Sequence, residues 1–277
     1  MSSDVMPMTE PRPRRQRSQS SGATDAALLF DEPGPRGRIL IAIGSVVAVI
    51  GIAALAAAVL YRLDLAGQLD YPKWRYFLGQ SVVSQLLEAA GTTLTLGGVA
   101  AVLTFPLGIA LGWLRLLDNR PIRWLVGLWI DAMRAVPMLL LVYFFLLVVP
   151  RFATISDFWK LALPIVMCTS ATTAEVFRSG VRALDRGQTE AAWALGMSSS
   201  LTMRLILAPQ ALRLMLPTLI TQMVTIIKGT TLAYVLAYPE LMYRGSTMIG
   251  QAKIDAHLSV FFQTYVIIAV LYIIVNW

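Results

Sequence analysis

The sequence predicts an all-α, polytopic membrane protein with about six transmembrane helices. Three observations carry that reading. Hydrophobic residues make up 57% of the 277 residues and charged ones only 14%, and mean hydropathy is +0.66, too apolar for an ordinary soluble domain. Several apolar runs are long enough to cross a hydrocarbon core of ~30 Å. Between two of them lies a polar, arginine-bearing stretch, residues 180–213, on which the rest of the chain is organised. The formal charge of +7 does not indicate a nucleic-acid partner, because the basic residues are spread over loops beside apolar runs, where they set topology against a lipid bilayer. The single cysteine, Cys168, excludes a disulfide within the chain and a cysteine-based metal site. His257 is the only histidine and reads as an ordinary loop residue. No metal site and no catalytic constellation is expected.

Residues 1–38 are rich in Ser, Pro, Arg and Gly without apolar periodicity, and read as a disordered cytoplasmic tail. The first span is 39–60. Its Ala56-Ala57-Ala58 looks like a cleavage site, but the preceding tail and the apolar run are both too long for a signal peptide. Residues 61–88 read as an external, interfacial segment with Trp74, Tyr76 and Phe77. The second span, 89–114, carries Thr92, Thr93, Thr95, Gly97, Gly98 and Gly112, small residues suited to close helix contacts, with Pro106 a potential kink. Span three, 124–149, holds Asp131, Arg134 and Pro137. Span four, 161–176, ends at Thr172, Thr173 and Glu175. Span five, 214–236, and span six, from about 258 to 277, complete the set.

Orientation follows from the basic residues. With the N-terminus inside, fourteen of the chain's 23 Lys and Arg fall in the tail, the 115–123 loop and the organising loop together with Arg178 just before it. Seven fall on the opposite side: Arg62, Lys73, Arg75, Arg151, Lys160, Arg244 and Lys253. The organising loop is therefore cytoplasmic. Within it, Thr189 can cap a short helix with Glu190 in the first turn. Ala191, Ala192 and Ala194 are helix formers small enough for a partner to approach closely. Gly196 suits the left-handed residue that ends a helix, and Ser198 can start the next.

Glu190-Ala191-Ala192, Gly196, Ile206 and Pro209 keep the spacing E-A-A-x3-G-x9-I-x-L-P, with Ala208 in place of the leucine. This resembles the EAA loop of the permease subunits of bacterial ABC importers. Gly187-Gln188 and Gln210-Ala211-Leu212-Arg213 narrow the resemblance to the polar amino-acid branch, of glutamate, glutamine and histidine type. The resemblance implies a five-helix type I importer core over 89–277, preceded here by one additional helix. It implies that Gly187, Glu190, Ala191, Ala192, Gly196 and Pro209 belong to a coupling element docking on a separate ATPase subunit. Further implied partners are a second permease subunit, identical or homologous, and an extracytoplasmic solute-binding protein. The location would be the bacterial cytoplasmic membrane. Members normally carry a short tail after the last helix, so the C-terminus is expected to be trimmed here. No G-x-x-x-x-G-K-[ST] loop occurs; this chain is expected to bind no cofactor, with ATP and Mg held by the partner ATPase.

Charges inside spans cost ~2.5–3.5 kcal/mol each at the bilayer centre, so they mark function or pairing. Asp131 and Arg134, three apart, can pair. Arg134-Ala135-Val136-Pro137 stands where the family has R-G-T-P. Glu175 in Ala174-Glu175-Val176-Phe177-Arg178 is similar to the family's A-E-x-x-R and is expected to pair with Arg178. Lys228-Gly229-Thr230-Thr231-Leu232 resembles K-x-T-S-L. Gln222, Thr225, Lys228 and Thr231 recur at helical spacing and form either a polar stripe on a water-filled path or cross-helix bonds. Lys228 and Arg134 suit a carboxylate, which makes glutamate the first expectation among polar amino acids. Two alternatives stand beside the importer: a secondary transporter driven by an ion gradient, which usually shows repeats or interrupted helices, and a membrane assembly protein without transport.

Overall fold

The computed structural model describes residues 34–277; most of the 1–38 tail lies outside them. Every regular element among the described residues is helical. The chain divides into two units, the first ending at Leu65 and the second running from Ala66 to Trp277.

In the first unit, helix α1 (Pro35–Leu65) has no buried residue and is apolar nearly all round, as a helix facing lipid must be. It exceeds the expected 39–60 at both ends. Pro35 sits at its start, where a fixed φ and a missing N–H cost nothing. Its 31 residues span about 46 Å, more than the hydrocarbon core, so tilt or emergence at both faces accommodates the excess.

The second unit opens with a short helix α2 (Tyr71–Arg75) and a 3-10 turn, Tyr76–Leu78. Helix α3 (Gln80–Leu114) then starts well before the expected residue 89. Its buried stripe, from Leu86 and Ala89 through Thr93, Leu96, Ala100 and Thr104 to Gly108 and Gly112, follows the three-and-four spacing of one helix face. Pro106 lies inside this continuous helix.

The expected third span is two helices, α4 (Arg120–Ala135) and α5 (Met138–Leu147), and the axis bends by 95° between α4 and the helical stretch Met138–Arg151. Pro137 explains the break: it donates no N–H, and it holds Val136 extended at φ −77°, ψ 128°. Helix α6 (Asp157–Arg182) is the centre, buried along most of its length, and α3, α4, α5 and the later α9 all pack on it. A hairpin follows, made of α7 (Arg186–Ala194) and α8 (Ser199–Thr202). Helix α8 runs through a π turn, Met203–Leu207, into α9 (Ala208–Gly229) and a 3-10 extension, Thr230–Leu236. Helix α10 (Leu241–Asp255), unforeseen from the sequence, buries Leu241, Gly245, Met248 and Ala252. Helix α11 (Phe261–Asn276) ends the fold.

Among the described residues, α1, α3 and the 199–236 helix are long and apolar enough to span a membrane, and α4 with α5 makes a fourth if counted as one broken span. The other two expected spans are α6 and α11. Helix α6 is polar because Thr169, Ser170 and Thr173 face protein rather than lipid. Helix α11 has 16 residues, about 24 Å of rise.

Two contacts hold α3 against α6. Thr104 and Thr169 share a hydrogen bond of 2.8 Å across the helices, and Thr169 also bonds the Ile165 carbonyl. One and two turns further on, Gly108 and Gly112 bring the backbones together. A Cβ on Gly108 would lie 2.5 Å from the Thr173 Cβ, and one on Gly112 2.6 Å from the Ala174 carbonyl oxygen. Lipid tails are as apolar as leucine, so dispersion at such close approach is what drives this packing. Gly98 on the same helix has nothing within 4 Å of its Cβ position. Gly108→Val is therefore expected to destabilise the permease by about 3 kcal/mol or more through overpacking, while Gly98→Ala is neutral or stabilising by up to about 1 kcal/mol. Thermal unfolding in detergent measures both; equal midpoints for the two variants would refute the close-packing account.

Candidate functional site

The hairpin that follows α6 is built by local rules. Asp185, not Thr189, caps α7: its carboxylate accepts the Gly187 N–H at 2.7 Å from an extended backbone at φ −60°, ψ 132°. An Asp one residue before the helix outcompetes a Thr inside it, and Glu190 consequently lies in the middle of α7. Helix α7 ends in a paired closure. The Gly196 N–H reaches the Trp193 carbonyl at 2.9 Å and the Met197 N–H the Ala192 carbonyl at 3.0 Å, with Gly196 at φ +77°. Ser198 then caps α8 through the Leu201 N–H at 3.3 Å. Across the hairpin, Gln210 faces Gln188 at 3.4 Å.

The placement of the sequence-derived residues is uneven. Gly187, Glu190, Ala191, Gly196 and Pro209 are exposed. Ala192 is 1% exposed, so its small side chain serves close approach within this chain, where α7 packs against α8 and the π turn. The outward surface instead presents Trp193, 55% exposed, and Leu195, 82% exposed. These two went unread as surface residues, although an apolar pair inside a polar connection was the available signal. Large apolar side chains exposed on a connection between helices mark a contact surface.

The four residues of the expected span-five stripe lie on the 199–236 helix, and of them only Lys228 and Thr231 line a common cleft. Among the described residues Thr225 and Thr231 make no bond across helices; their hydroxyls bond the Thr221 and Lys228 carbonyls of their own helix at 3.0 and 2.8 Å. Gln222 is half-buried. Lys228 is exposed and, with Thr231, Tyr272 and Asn276, lines a cleft of about 330 Å³ between this helix and α11. Arg134 is exposed near the end of α4. Its expected pairing with Asp131 is not made: Asp131 faces Arg115, at the end of α3, at 3.2 Å. Arg115 reaches Glu175 as well, and Glu175 pairs with Arg178 at 2.7 Å as expected. Neither Arg134 nor Lys228 has an ion-pair partner among the described residues. Met138 packs near Gly229, 3.5 Å from the position of a Cβ there, so the bend after Arg134 adjoins the turn that carries Lys228.

A buried polar group behind this cleft had no signal in the sequence. Glu240 is fully buried. One carboxylate oxygen caps α10 by accepting the Tyr243 N–H at 2.8 Å, and the other accepts the Tyr272 hydroxyl at 2.7 Å. Thr93 and Thr230, both buried, also reach that hydroxyl, and Thr93 accepts the Leu241 N–H at 3.2 Å. Burial pushes the Glu240 carboxyl above the usual carboxylate range, against the pull of these donors. Tyr272 thus belongs both to the Lys228 cleft and to the clasp that ties α3, α10 and α11.

Comparison with known proteins places this geometry. The sequence family described as "Binding-protein-dependent transport system inner membrane component" matches residues 104–277. The glutamate transport system permease protein GluD of Corynebacterium glutamicum is 33% identical over 216 residues, 76% of this chain and 77% of that protein. The probable glutamine ABC transporter permease protein GlnP of Bacillus subtilis is 32% identical over 67% of this chain and 84% of its own length. Among solved structures, an amino acid ABC transporter crystallised with histidines superposes with a TM-score of 0.63, covering 71% of this chain and 89% of that one at 24% identity.

The clasp makes a checkable claim on stability. Tyr272→Phe removes the one side-chain donor recorded on the second Glu240 oxygen and is expected to cost about 1–3 kcal/mol. Glu240→Ala removes cap and clasp together, and should cost more than the ~1 kcal/mol of an exposed cap. Thermal unfolding of the purified permease checks both. A Glu240→Ala midpoint equal to the parent's would show that the clasp contributes nothing.

Proposed function

Because this chain belongs to the inner membrane components of binding-protein-dependent transport systems, within the amino-acid ABC permeases, we propose that it is the pore-forming subunit of an importer for an acidic or polar amino acid, glutamate first. The observation that carries the coupling half of this reading is the hairpin, with Glu190, Trp193 and Leu195 exposed on α7. Separate ATPase subunits dock there and hold the ATP and magnesium. The second helix of the hairpin, α8, is continuous through the π turn with the helix that carries Lys228. A push on α7 reaches that helix through the packing of α7 on α8 and the π turn. Such a push switches the pore only because the ATPases contact the two states differently.

On the substrate side, Lys228 and Arg134 are exposed cations without ion-pair partners among the described residues, one of them in a cleft. A carboxylate would supply the missing partner. The relatives are named for glutamate in one case and glutamine in another, and a cation suits the glutamate side chain as well as the α-carboxylate. A second permease copy or homologue completes the pore, and an extracytoplasmic solute-binding protein delivers the substrate on the face opposite the hairpin. The N-terminus lies in the cytoplasm, on the side where most basic residues fall. An ion-driven carrier would have no use for an exposed docking hairpin.

Two measurements test this. In a reconstituted complex with the ATPase, Gly196→Val should strain the left-handed closure of α7, and Trp193→Ala should remove the contact. Each is expected to reduce substrate-stimulated ATP hydrolysis and uptake at least several-fold while binding-protein affinity is unchanged. Full hydrolysis and uptake in both variants would refute coupling through this hairpin. Separately, Lys228→Met should depress glutamate uptake by an order of magnitude or more, the worth of a charge-assisted contact of about 1.5–3 kcal/mol, with normal membrane insertion. Glutamate uptake at the parental rate would remove Lys228 from the path.

A further inference from the structure

At the end of the bundle nearest the hairpin, α3 finishes, α4 begins and α6 finishes. These ends enclose a pocket of about 400 Å³ lined by Arg115, Arg123, Arg178, Arg182, Asp131 and the exposed Trp124. Its charges do not balance. Arg115 is held by Asp131 and Glu175, and Arg178 by Glu175, so two guanidiniums answer two carboxylates. Arg123 and Arg182 are exposed and have no ion-pair partner among the described residues. Two positive charges are left over, facing one pocket.

Arg123 is also in the wrong place for an isolated helix. It sits near the N-terminus of α4, where the helix dipole favours anions, and the first turn contains no acidic residue. An external anion would relieve both. The setting specifies which kind. Four of its residues, Arg115, Arg123, Arg178 and Arg182, lie just outside the expected spans 89–114, 124–149 and 161–176, which sets them at the membrane surface, and Trp124 beside them is 66% exposed, an aromatic of the type that sits among lipid headgroups. Apolar Leu128, also exposed, continues that face along α4.

We propose that this pocket binds the phosphate of an anionic phospholipid headgroup, held by Arg123 and Arg182, with Trp124 at the glycerol level. Guanidiniums suit a phosphodiester because their paired N–H groups match two of its oxygens. Arg182 also borders the hollow of about 420 Å³ beneath α7 that Asp185, Arg186 and Thr189 line. A bound headgroup therefore adjoins the root of the coupling hairpin, which makes the local lipid a partner of that hairpin. The site depends on the membrane placement of these helices and not on which amino acid is carried.

The test uses the full chain purified with its ATPase in mild detergent and incubated with phosphatidylglycerol or phosphatidylcholine, with retained lipid counted by native mass spectrometry. The parent is expected to retain phosphatidylglycerol over phosphatidylcholine. Arg182→Gln should lower that retention about fivefold, and Arg123→Gln with Arg182→Gln by more than an order of magnitude. Arg151→Gln, outside the pocket, should leave it unchanged, and excess inorganic phosphate should not displace the lipid. Equal retention of the two lipids by the parent, or undiminished phosphatidylglycerol on Arg182→Gln, would overturn the assignment. Displacement by inorganic phosphate would overturn it in favour of a soluble anion. Both arginines are exposed, so neither substitution threatens the fold, and the single variant decides the matter if the double one does not assemble.

Discussion

Helix α6 can be central only because α3 comes close enough to cover it, and that approach is set by Gly108 and Gly112 with the Thr104–Thr169 bond between them and the outer half of the pair. In a bilayer no hydrophobic effect presses one helix on another, and a polar side chain facing lipid must find its partner inside the protein. Both constraints are met at this one seam. It lets α6 carry Thr169, Ser170 and Thr173 without exposing them to lipid. Once α6 is fixed, its last turns fix Glu175 and Arg178, and through Arg115 and Asp131 they fix the ends of α3 and α4. Its C-terminus then determines where the hairpin begins.

The second half of the hairpin and Lys228 lie on one helical element, Ser199–Leu236. Asp185, Gly196 and Ser198 each satisfy backbone groups at a helix end, so the hairpin has a defined shape before any partner is met. Gly196 is exposed and nothing crowds its Cβ position, so its identity answers to backbone conformation alone. The π turn at 203–207 is the one irregularity between the hairpin and the stripe. A wider turn of this kind is where a helix can change its winding without losing its hydrogen bonds, and it lies between the contact surface and Lys228. At the far end, the clasp of Glu240 and Tyr272 anchors the helices around the Lys228 cleft.

What was legible in the sequence was what depends on neighbours along the chain. Apolar runs revealed α1, α3, α9 and α11, and Gly196 and Ser198 declared a helix end and a helix start by their own chemistry. The Glu175–Arg178 pair, three residues apart on one helix, was equally local. What escaped depends on distant residues or on competition between near ones. Asp131 had Arg134 within reach, but Arg115 arrives from another helix and wins. Thr189 was the cap read from the sequence, but Asp185, which was not weighed, is the stronger acceptor at the better position. Pro137 was visible, but the size of the bend it produces is set by what α5 packs on, not by the proline. Helix α10 was hidden because Arg244, Gln251 and Lys253 mask the spacing of Leu241, Gly245, Met248 and Ala252. Glu240 drew no reading between the fifth and sixth expected spans, since only the fold brings Tyr272 to it.

The charges of the second unit sort by the same logic, and the sorting carries functional meaning. Those that the fold pairs, Arg115, Asp131, Glu175 and Arg178, hold helix ends together, and their side chains are mostly shielded apart from that of Asp131. Arg123, Arg134, Arg182 and Lys228 are exposed and have no ion-pair partner among the described residues. A charge near a bilayer that the protein itself leaves uncompensated is costly, and it is tolerated where something outside the chain supplies the counter-charge. Two of these cations lie at membrane-surface depth beside an exposed tryptophan, which suits a headgroup. The other two adjoin a bend and, for Lys228, a cleft between the 199–236 helix and α11, which suits a carboxylate. The surroundings of each cation, a pocket walled by arginines beside Trp124 in one case and a largely apolar cleft beside Tyr272 in the other, separate the two readings more than residue type does.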